Sequence, residues 1–290
     1  FGIGVDPHGF YQCKMICPNI PTFYYSLELY LLNDHYGLNY PDNVIKTERR
    51  KINSIRGLII QSHEKELLFR DDYQLSQEIP SFILPVTYDA PPLKEKSQFL
   101  HNKLNLNKNK KIALHLGGIN WWHSCIEIST VFSRIDNWVL VFQGYYKEDY
   151  VQKLRKHILE NKIHNVFILD EIFDSIKDID KIIQSCSLGI AWYNDISIGF
   201  RTAGESSGKI PAYFRFGLPV VAKKYTSTYN AIEKTGCGLC VENYDDIINS
   251  LKMIENRFDY YSCNAIKEYE KKYRFEKYRE KLLIFFNTNL

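Results

Sequence analysis

The residues with the most chemical content lie between Gly204 and Ala222, reading Gly-Glu-Ser-Ser-Gly-Lys-Ile-Pro-Ala-Tyr-Phe-Arg-Phe-Gly-Leu-Pro-Val-Val-Ala. A polar loop leads into a short helix, Gly217 stops it, and a buried strand follows from Pro219 to Ala222. Either Ser206 or Ser207 can cap the helix, its side-chain oxygen taking up a backbone N–H that has no partner within the helix. The other free N–H groups of the first turn, with Gly208 allowing close approach, form an anion site. Lys209 adds a full positive charge at the same place. Pro211 is tolerated so near the start, where a missing N–H is an orphan in any case. These residue types together bind a phosphate or diphosphate. The alternative is an ordinary capped helix with its lysine in solvent.

Other groups sit where strands end. Gly117-Gly118 follow an apolar run closing at Leu116, and a glycine pair lets a phosphate or sugar reach the backbone, unless it is only a turn. Asp6-Pro-His8-Gly lies just past the first strand. Asp6 or His8 can take the proton of a hydroxyl within hydrogen-bond reach; the alternative is an aspartate capping the following helix. Glu28, past the next strand, is a base, an acceptor ligand, or a first-turn glutamate favoured by the helix dipole. Asp6 ranks above Glu28 as the base.

Several tempting sets carry less. Asp178-Ile-Asp180 has a metal-binding spacing, but its place among Ile176, Ile179, Ile182, Ile183 and Cys186 makes an amphipathic helix with exposed acids. His123 and Glu127 are spaced for one metal but lack a third ligand. Trp121-Trp122 line a sugar site or belong to the core. Cys237-Gly-Leu-Cys240 runs into a strand with no second ligand pair, so it reads as structural.

To place these groups, apolar runs of strand length alternate with helical segments, the rhythm of parallel α/β sheets. The first part gives strands at Phe1–Val5, Thr22–Ser26, Gly57–Gln61 and Ser81–Leu84, with a helix over Asp42–Ile55. Phe1–Val5 reads as a buried strand with no lead-in, so the first domain is expected to be truncated. Ala90–Lys96 is Pro-rich and Asn102–Lys111 basic, and the domain boundary falls among them. Beyond it come strands at Ile112–Leu116, Val139–Phe142, Val166–Leu169, Leu188–Trp192, Val220–Ala222 and Leu239–Val241, with helices between. The last helices are expected at Tyr244–Ile254 and Tyr273–Phe286. In a doubly wound sheet, ligands lie beyond the carboxyl ends of the strands.

At 290 residues the chain is long for one core and comfortable for two. A net charge of +3 argues against a nucleic-acid partner. Seven cysteines without framework spacing point to a reducing cytoplasm. No apolar stretch is long enough to span a membrane.

Ser-Ser-Gly-Lys209, the aromatic helix and Phe216-Gly-Leu-Pro-Val-Val-Ala222, followed by Gly236-Cys-Gly-Leu-Cys-Val241, resemble the donor-binding segment of GT-B glycosyltransferases, group 1 or family 4 in particular. The resemblance implies two Rossmann-like doubly wound domains facing a cleft: a partial acceptor-side domain over residues 1–97, a nucleotide-sugar domain over 98–265, and a helix at 266–290 packing back on the first. It implies transfer of a sugar from a nucleotide-sugar to a hydroxyl, with no metal or other cofactor. The acceptor it implies is a glycan or lipid-linked glycan of bacterial envelope polysaccharide, met in the cytoplasm or at the inner membrane face. A nucleotide-sugar 2-epimerase of the same fold and a non-catalytic nucleotide-sugar binder are the alternatives. Ser206, Ser207, Gly208, Lys209, Gly117 and Gly118 would hold the diphosphate. Gly144, Glu171 and Phe173, at later strand ends, would lie near the nucleotide, with Phe173 as an apolar cover. The family's two glutamates fall at Gly204, with Glu205 beside it as a donor contact, and at Ala212, so the ribose contact of the second comes from elsewhere or is absent; Arg201 stands in for the Arg and Lys that often follow the first strand of the family's donor domain.

Overall fold

The computed structural model describes residues 1–34, 40–171, 173 and 176–290. Its first sheet contains β1 (Gly2–Val5), β2 (Thr22–Ser26), β3 (Gly57–Ile60) and β4 (Ser81–Ile83), in that order and all parallel. The second contains β5 (Lys111–Leu116), β6 (Trp138–Gln143), β7 (Val166–Ile168), β8 (Leu188–Ala191), β9 (Val220–Lys223) and β10 (Gly238–Val241). Its spatial order is β10-β9-β8-β5-β6-β7, again parallel. This is the α/β architecture of two Rossmann-like domains.

Parallel strands need crossovers, and helices fill them. In the first domain these are α1 (Asp6–Ile16), α2 (Asp42–Lys51) and α3 (His63–Tyr73). In the second they include α4 (Cys125–Phe132), α5 (Glu148–Glu160), α6 (Ile176–Gln184) and α7 (Lys209–Arg215). With helices on both faces, the inner strands read as continuous apolar runs. All of Gly57–Ile60, Trp138–Gln143 and Leu188–Ala191 is buried. The second sheet starts at β5, winds one way to β7, then returns to β8 and winds the other way. The crevice for a ligand therefore opens between β5 and β8.

Two expectations change. β1 is an edge strand, and Ile3 and Val5 are exposed rather than buried. The periodicity near the end gave helices at Tyr244–Ile254 and Tyr273–Phe286. The chain instead forms α8 (Asp246–Asn256), α9 (Phe258–Glu268) and α10 (Glu276–Thr288). α10 lies on the first sheet, where Phe286 joins Phe23, Ile59 and Leu84, flanked by Tyr278, Leu282 and Phe285. Any side chain at Gly57 would strike the Phe285 ring. Where the chain crosses between domains it does so twice, side by side. Tyr88 N–H donates to Tyr273 O at 2.9 Å and Phe275 N–H to Tyr88 O at 3.1 Å.

Candidate functional site

The motif helix is anchored before it binds anything. Tyr213 on α7 lies across β8, where any side chain on Gly189 would strike its ring. Its hydroxyl donates to Leu114 O at 2.8 Å and accepts from Leu116 N–H at 2.8 Å. The same residue thus fixes α7 and the end of β5, the two elements that meet at the crevice. Gly117 follows with φ 115°, and Gly144 with φ 149° packs onto the Gly117 backbone, where a Cβ would collide. Both positions require glycine.

Lys209 opens α7, and its ammonium nitrogen is enclosed with no hydrogen-bond partner. It lies 4.7 Å from the Tyr193 ring centroid, and a methyl group placed on Gly117 would stand 3.6 Å from Nζ. Burial lowers its pKa from 10.5 to about 7. Two histidines stand near, and both are held neutral. His123 Nδ1 is 2.7 Å from the Trp192 carbonyl, which can only accept, so the proton sits on Nδ1. His115 is fixed likewise through Nε2 at 3.0 Å from Gly118 O. Burial, reinforced by the Lys209 charge, pushes His115 down to about 3 and His123 lower still.

Gly117-Gly118 separates two cavities. One, of about 460 Å³, lies between the domains and is lined by Glu28 and Asp34 from the first and by Gly118, His123, Tyr193 and Lys209 from the second. The other, of about 350 Å³, runs along Gly117, Gly144, Tyr145, Phe173, Ala212 and Phe216. Ser206, Ser207 and Gly208 line the first cavity beside Lys209.

The serines do not cap the helix. Gly208 is the N-cap, with no side-chain cap bond. Ser206 Oγ donates to Thr202 O at 3.2 Å, and Ser207 Oγ bonds the Tyr193 hydroxyl. Ser207 N–H is already given to Ala203 O at 2.9 Å. A one-turn helix at Ala203–Ser206 comes just before α7 and takes up these groups. The positive end of the site is therefore chiefly the Lys209 side chain.

On the first domain, Asp6 has φ 52°, and its Oδ1 accepts from Leu27 N–H at 2.8 Å and Glu28 N–H at 3.1 Å. Burial raises its pKa to about 6. Glu28 lines the cavity, and Asp6 braces the loop behind it. Lys65 is buried below them, its Nζ 2.9 Å from Gln61 Oε1, with a pKa lowered to about 8 by burial. His8 is exposed on α1.

Three expected donor contacts point elsewhere. Glu205 pairs with Lys272 in the domain crossing. Arg201 pairs with Asp195 at 2.6 Å, both well exposed. Glu171 pairs with Lys103 at 2.5 Å, while its neighbour Phe173 does line the second cavity. Ile172 lies outside the described residues. Gly204 has no room for a side chain, since a Cβ would meet the Ser227 backbone. Asp180 is not a solvated acid: Arg215 Nη1 holds its two oxygens at 2.8 and 2.9 Å. Trp121 is exposed and Trp122 half-buried, so neither is core. No cluster of metal-ligating side chains occurs among the described residues. No described helix is long and apolar enough to cross a membrane.

His123, Tyr193 and Lys65 were missed as site residues. His123 has a signal in sequence only as a failed metal ligand, and Tyr193 only as the residue after a strand. Lys65 sits among the charged residues of α3 and has none.

Residues 165–285 match the family described as glucosyltransferase 3-like, C-terminal domain. No curated protein matches the chain. Among solved structures, sucrose-phosphate synthase from Thermosynechococcus elongatus superposes with TM-score 0.73 at 13% identity, over 97% of this chain and 71% of that one. Anabaena HepE, in complex with UDP and glucose, gives 0.74 at 14% over 97% and 75%. TarM gives 0.69 at 18% over 98% of this chain and 54% of its own. The chain thus has the GT-B fold of these structures, and its residues 165–285 match the glucosyltransferase 3-like C-terminal domain.

Proposed function

We propose that the chain transfers a sugar from a nucleoside-diphosphate donor to a hydroxyl acceptor without an essential metal ion. The observation that carries this reading is Lys209, an enclosed ammonium with no partner at the turn where two cavities meet. As the bond from the anomeric carbon to the phosphate oxygen breaks, charge grows on the departing diphosphate. A cation fixed in a water-poor site favours that growing charge. The acceptor oxygen bonds the anomeric carbon, and its proton passes to Glu28 across the cleft. Asp6 fixes the Glu28 loop and, with its pKa near 6, is the alternative base. UDP is the first nucleotide to try, since HepE was solved with UDP-glucose. We infer a glycan or lipid-linked glycan of a bacterial envelope as acceptor, met in the cytoplasm or at the inner membrane face; the family resemblance alone supports this.

The test offers a panel of nucleotide-sugars with glycan acceptors and follows release of nucleoside diphosphate, with and without EDTA. Acceptor-dependent release that survives EDTA and collapses in Lys209→Met is expected. Donor epimerised without any acceptor would make the protein a 2-epimerase, and binding without turnover would make it a non-catalytic binder. Loss on chelation, rescued by Mn²⁺, would end the metal-free reading.

A further inference from the structure

Lys65 is a buried charge with no part in the transfer described above. It lies in the first turn of α3 and is 1% exposed. Its Nζ donates to Gln61 Oε1 at 2.9 Å and to Leu27 O at 3.4 Å. Gln61 Nε2 donates to the same carbonyl. From the other side, Asp6 Oδ1 accepts Leu27 N–H and Glu28 N–H. Leu27 is thus gripped at its N–H by Asp6 and at its C=O by Gln61 and Lys65. Asp6, Leu27 and Gln61 directly follow β1, β2 and β3, three neighbouring parallel strands, so this clamp spans the carboxyl end of the sheet. Around Asp6 stand Glu28, Lys65, Glu48 of α2 and the phenols of Tyr24, Tyr25 and Tyr30. Lys65 is the one cation in that set.

We propose that Lys65 is a positioning residue for the transfer: its enclosed charge keeps Asp6 ionised, and the two together hold the Leu27–Glu28 turn so that Glu28 faces the cavity. This role rests on Glu28 being the base. A carboxyl withdrawn from water beside a second acid favours its neutral form. Asp6 is such a carboxyl: burial carries it to about 6, and Lys65 opposes the rise. The same burial brings Lys65 down to about 8, with Glu28 and Asp6 opposing. Between those two values both groups are charged, and each supports the charge of the other. An ionised oxygen holds a backbone N–H about twice as strongly as a neutral one. Once Asp6 takes a proton, its grip on Leu27 and Glu28 slackens. Asp6 also has φ 52°, a backbone conformation that persists where the surroundings enforce it. The direct acceptors of Lys65 are a neutral amide and a carbonyl, so stability alone does not call for a charge there. An apolar side chain of similar size would fill the space without the desolvation cost.

The experiment follows the transfer rate of the full chain against pH, at saturating donor from the panel above, with UDP affinity measured by calorimetry. In the native protein the rate should fall as pH drops through about 6, where Asp6 takes a proton. Lys65→Gln keeps a donor and removes the charge. Its acid limb should move up by about one pH unit or more, the effect of losing an opposite charge close by, and most of the native rate should return at high pH. Lys65→Arg should bring the limb back toward its native position. Asp6→Asn keeps the acceptor and tolerates the backbone. In it the limb near 6 should vanish, and adding Lys65→Gln should move nothing further. Glu48→Gln should not raise the limb, and UDP affinity should stay as it was throughout. A loss in Lys65→Gln that is equal at every pH makes Lys65 merely structural and overturns the assignment, as does a limb that stays near 6. If Lys65→Gln does not fold, Asp6→Asn decides alone, and a limb persisting near 6 in it overturns the assignment. Transfer abolished at every pH by Asp6→Asn would make Asp6 a base rather than a brace, with the same result. Transfer that survives Glu28→Gln removes the base reading and the assignment together. Transfer lost in Glu28→Gln, with the limb unmoved in Lys65→Gln, overturns the assignment alone.

Discussion

The two walls of the interdomain cleft handle buried charge in opposite ways. On the second domain, Lys209 is enclosed by an aromatic ring, two neutral histidines and a glycine turn, and its ammonium has no partner. On the first, buried charge is already balanced. Lys65 donates to Gln61, Asp6 accepts two backbone N–H groups, and Glu48 inside the domain bonds the hydroxyls of Tyr24 and Tyr73. An unpaired buried cation is costly and survives where a ligand supplies the missing charge. One wall leaves a buried charge unmatched; the other balances its own.

The largest effect should come from the balanced wall. Glu28→Gln removes the carboxylate that faces the cavity and that is proposed as the base, and general bases contribute about 10²- to 10⁴-fold. Transfer rate should fall by that order while nucleoside-diphosphate affinity is unchanged in calorimetry. A matching loss of affinity would mean that both walls hold the donor, and the division between them would be wrong.

Next comes the opposite wall. Lys209→Met keeps the length and removes the charge, so diphosphate affinity should drop about ten- to a hundredfold. Lys223→Ala, a cation at the end of β9 whose ammonium already donates to Glu242 O, should change it little. The Lys209 pKa of about 7 adds a pH signature. A bound diphosphate favours the charged ammonium and raises that pKa, so binding above pH 7 takes up a proton and affinity falls as pH rises. Calorimetry in buffers of different ionisation enthalpy reads the uptake directly. No uptake at pH 8 in the native protein would place the anion elsewhere.

A smaller effect tests whether the first wall is balanced by protonation. Tyr73 OH lies 2.9 Å from Tyr30 O and 3.0 Å from Glu48 Oε2, yet it has one proton to give. A protonated Glu48 resolves this by donating to Tyr73 itself. Burial indeed raises Glu48 from 4.5 to about 7. The folded state thus keeps a proton that the unfolded chain loses. The stabilisation is full below about pH 4.5 and is lost as pH rises to about 7, at no more than about 1.4 kcal/mol per pH unit. Glu48→Gln carries the donor permanently, so its denaturant midpoint should be flatter over that window. An unchanged slope would assign the pH dependence to another group, with Asp6 first in line.

The sheets were legible because buried parallel strands are continuous apolar runs, as in Val139–Phe142 and Leu188–Ala191. Which strand forms the exposed edge was not legible, since Ile3 and Val5 have the same chemistry whether or not a neighbour covers them. Lys209 and the Gly117 turn stood out because one opens a helix and the other follows a strand, the places where ligands meet a doubly wound sheet. Asp180 was misjudged because helical periodicity assigns a face to one helix alone. Arg215 comes from α7, thirty-five positions along, and makes the polar side of α6 an interior. The serines failed as caps for a local reason: their hydroxyls turn to Thr202 O and the Tyr193 hydroxyl, and Gly208 is left as the N-cap.

The smallest expected effect concerns Glu205, which the sequence placed at the donor and the fold places at the crossing. Its carboxylate pairs with Lys272, and both side chains are 26% exposed. Such a pair contributes about 0.2–1 kcal/mol. It ties the segment just before α7 to the chain that returns toward the first domain, next to the Tyr88–Tyr273 backbone bond. Glu205→Gln should therefore lower stability by less than about 1 kcal/mol, in a way that weakens with added salt, since screening falls on exposed charge first. Donor affinity should change by less than about threefold. Lys272→Met should give the same loss, and the double variant should lose no more than either single change, because the two share one interaction. A tenfold fall in nucleotide-sugar affinity for Glu205→Gln, without one for Lys272→Met, would return Glu205 to the donor and turn the second wall from a site with one unmatched cation into one with a paired acid.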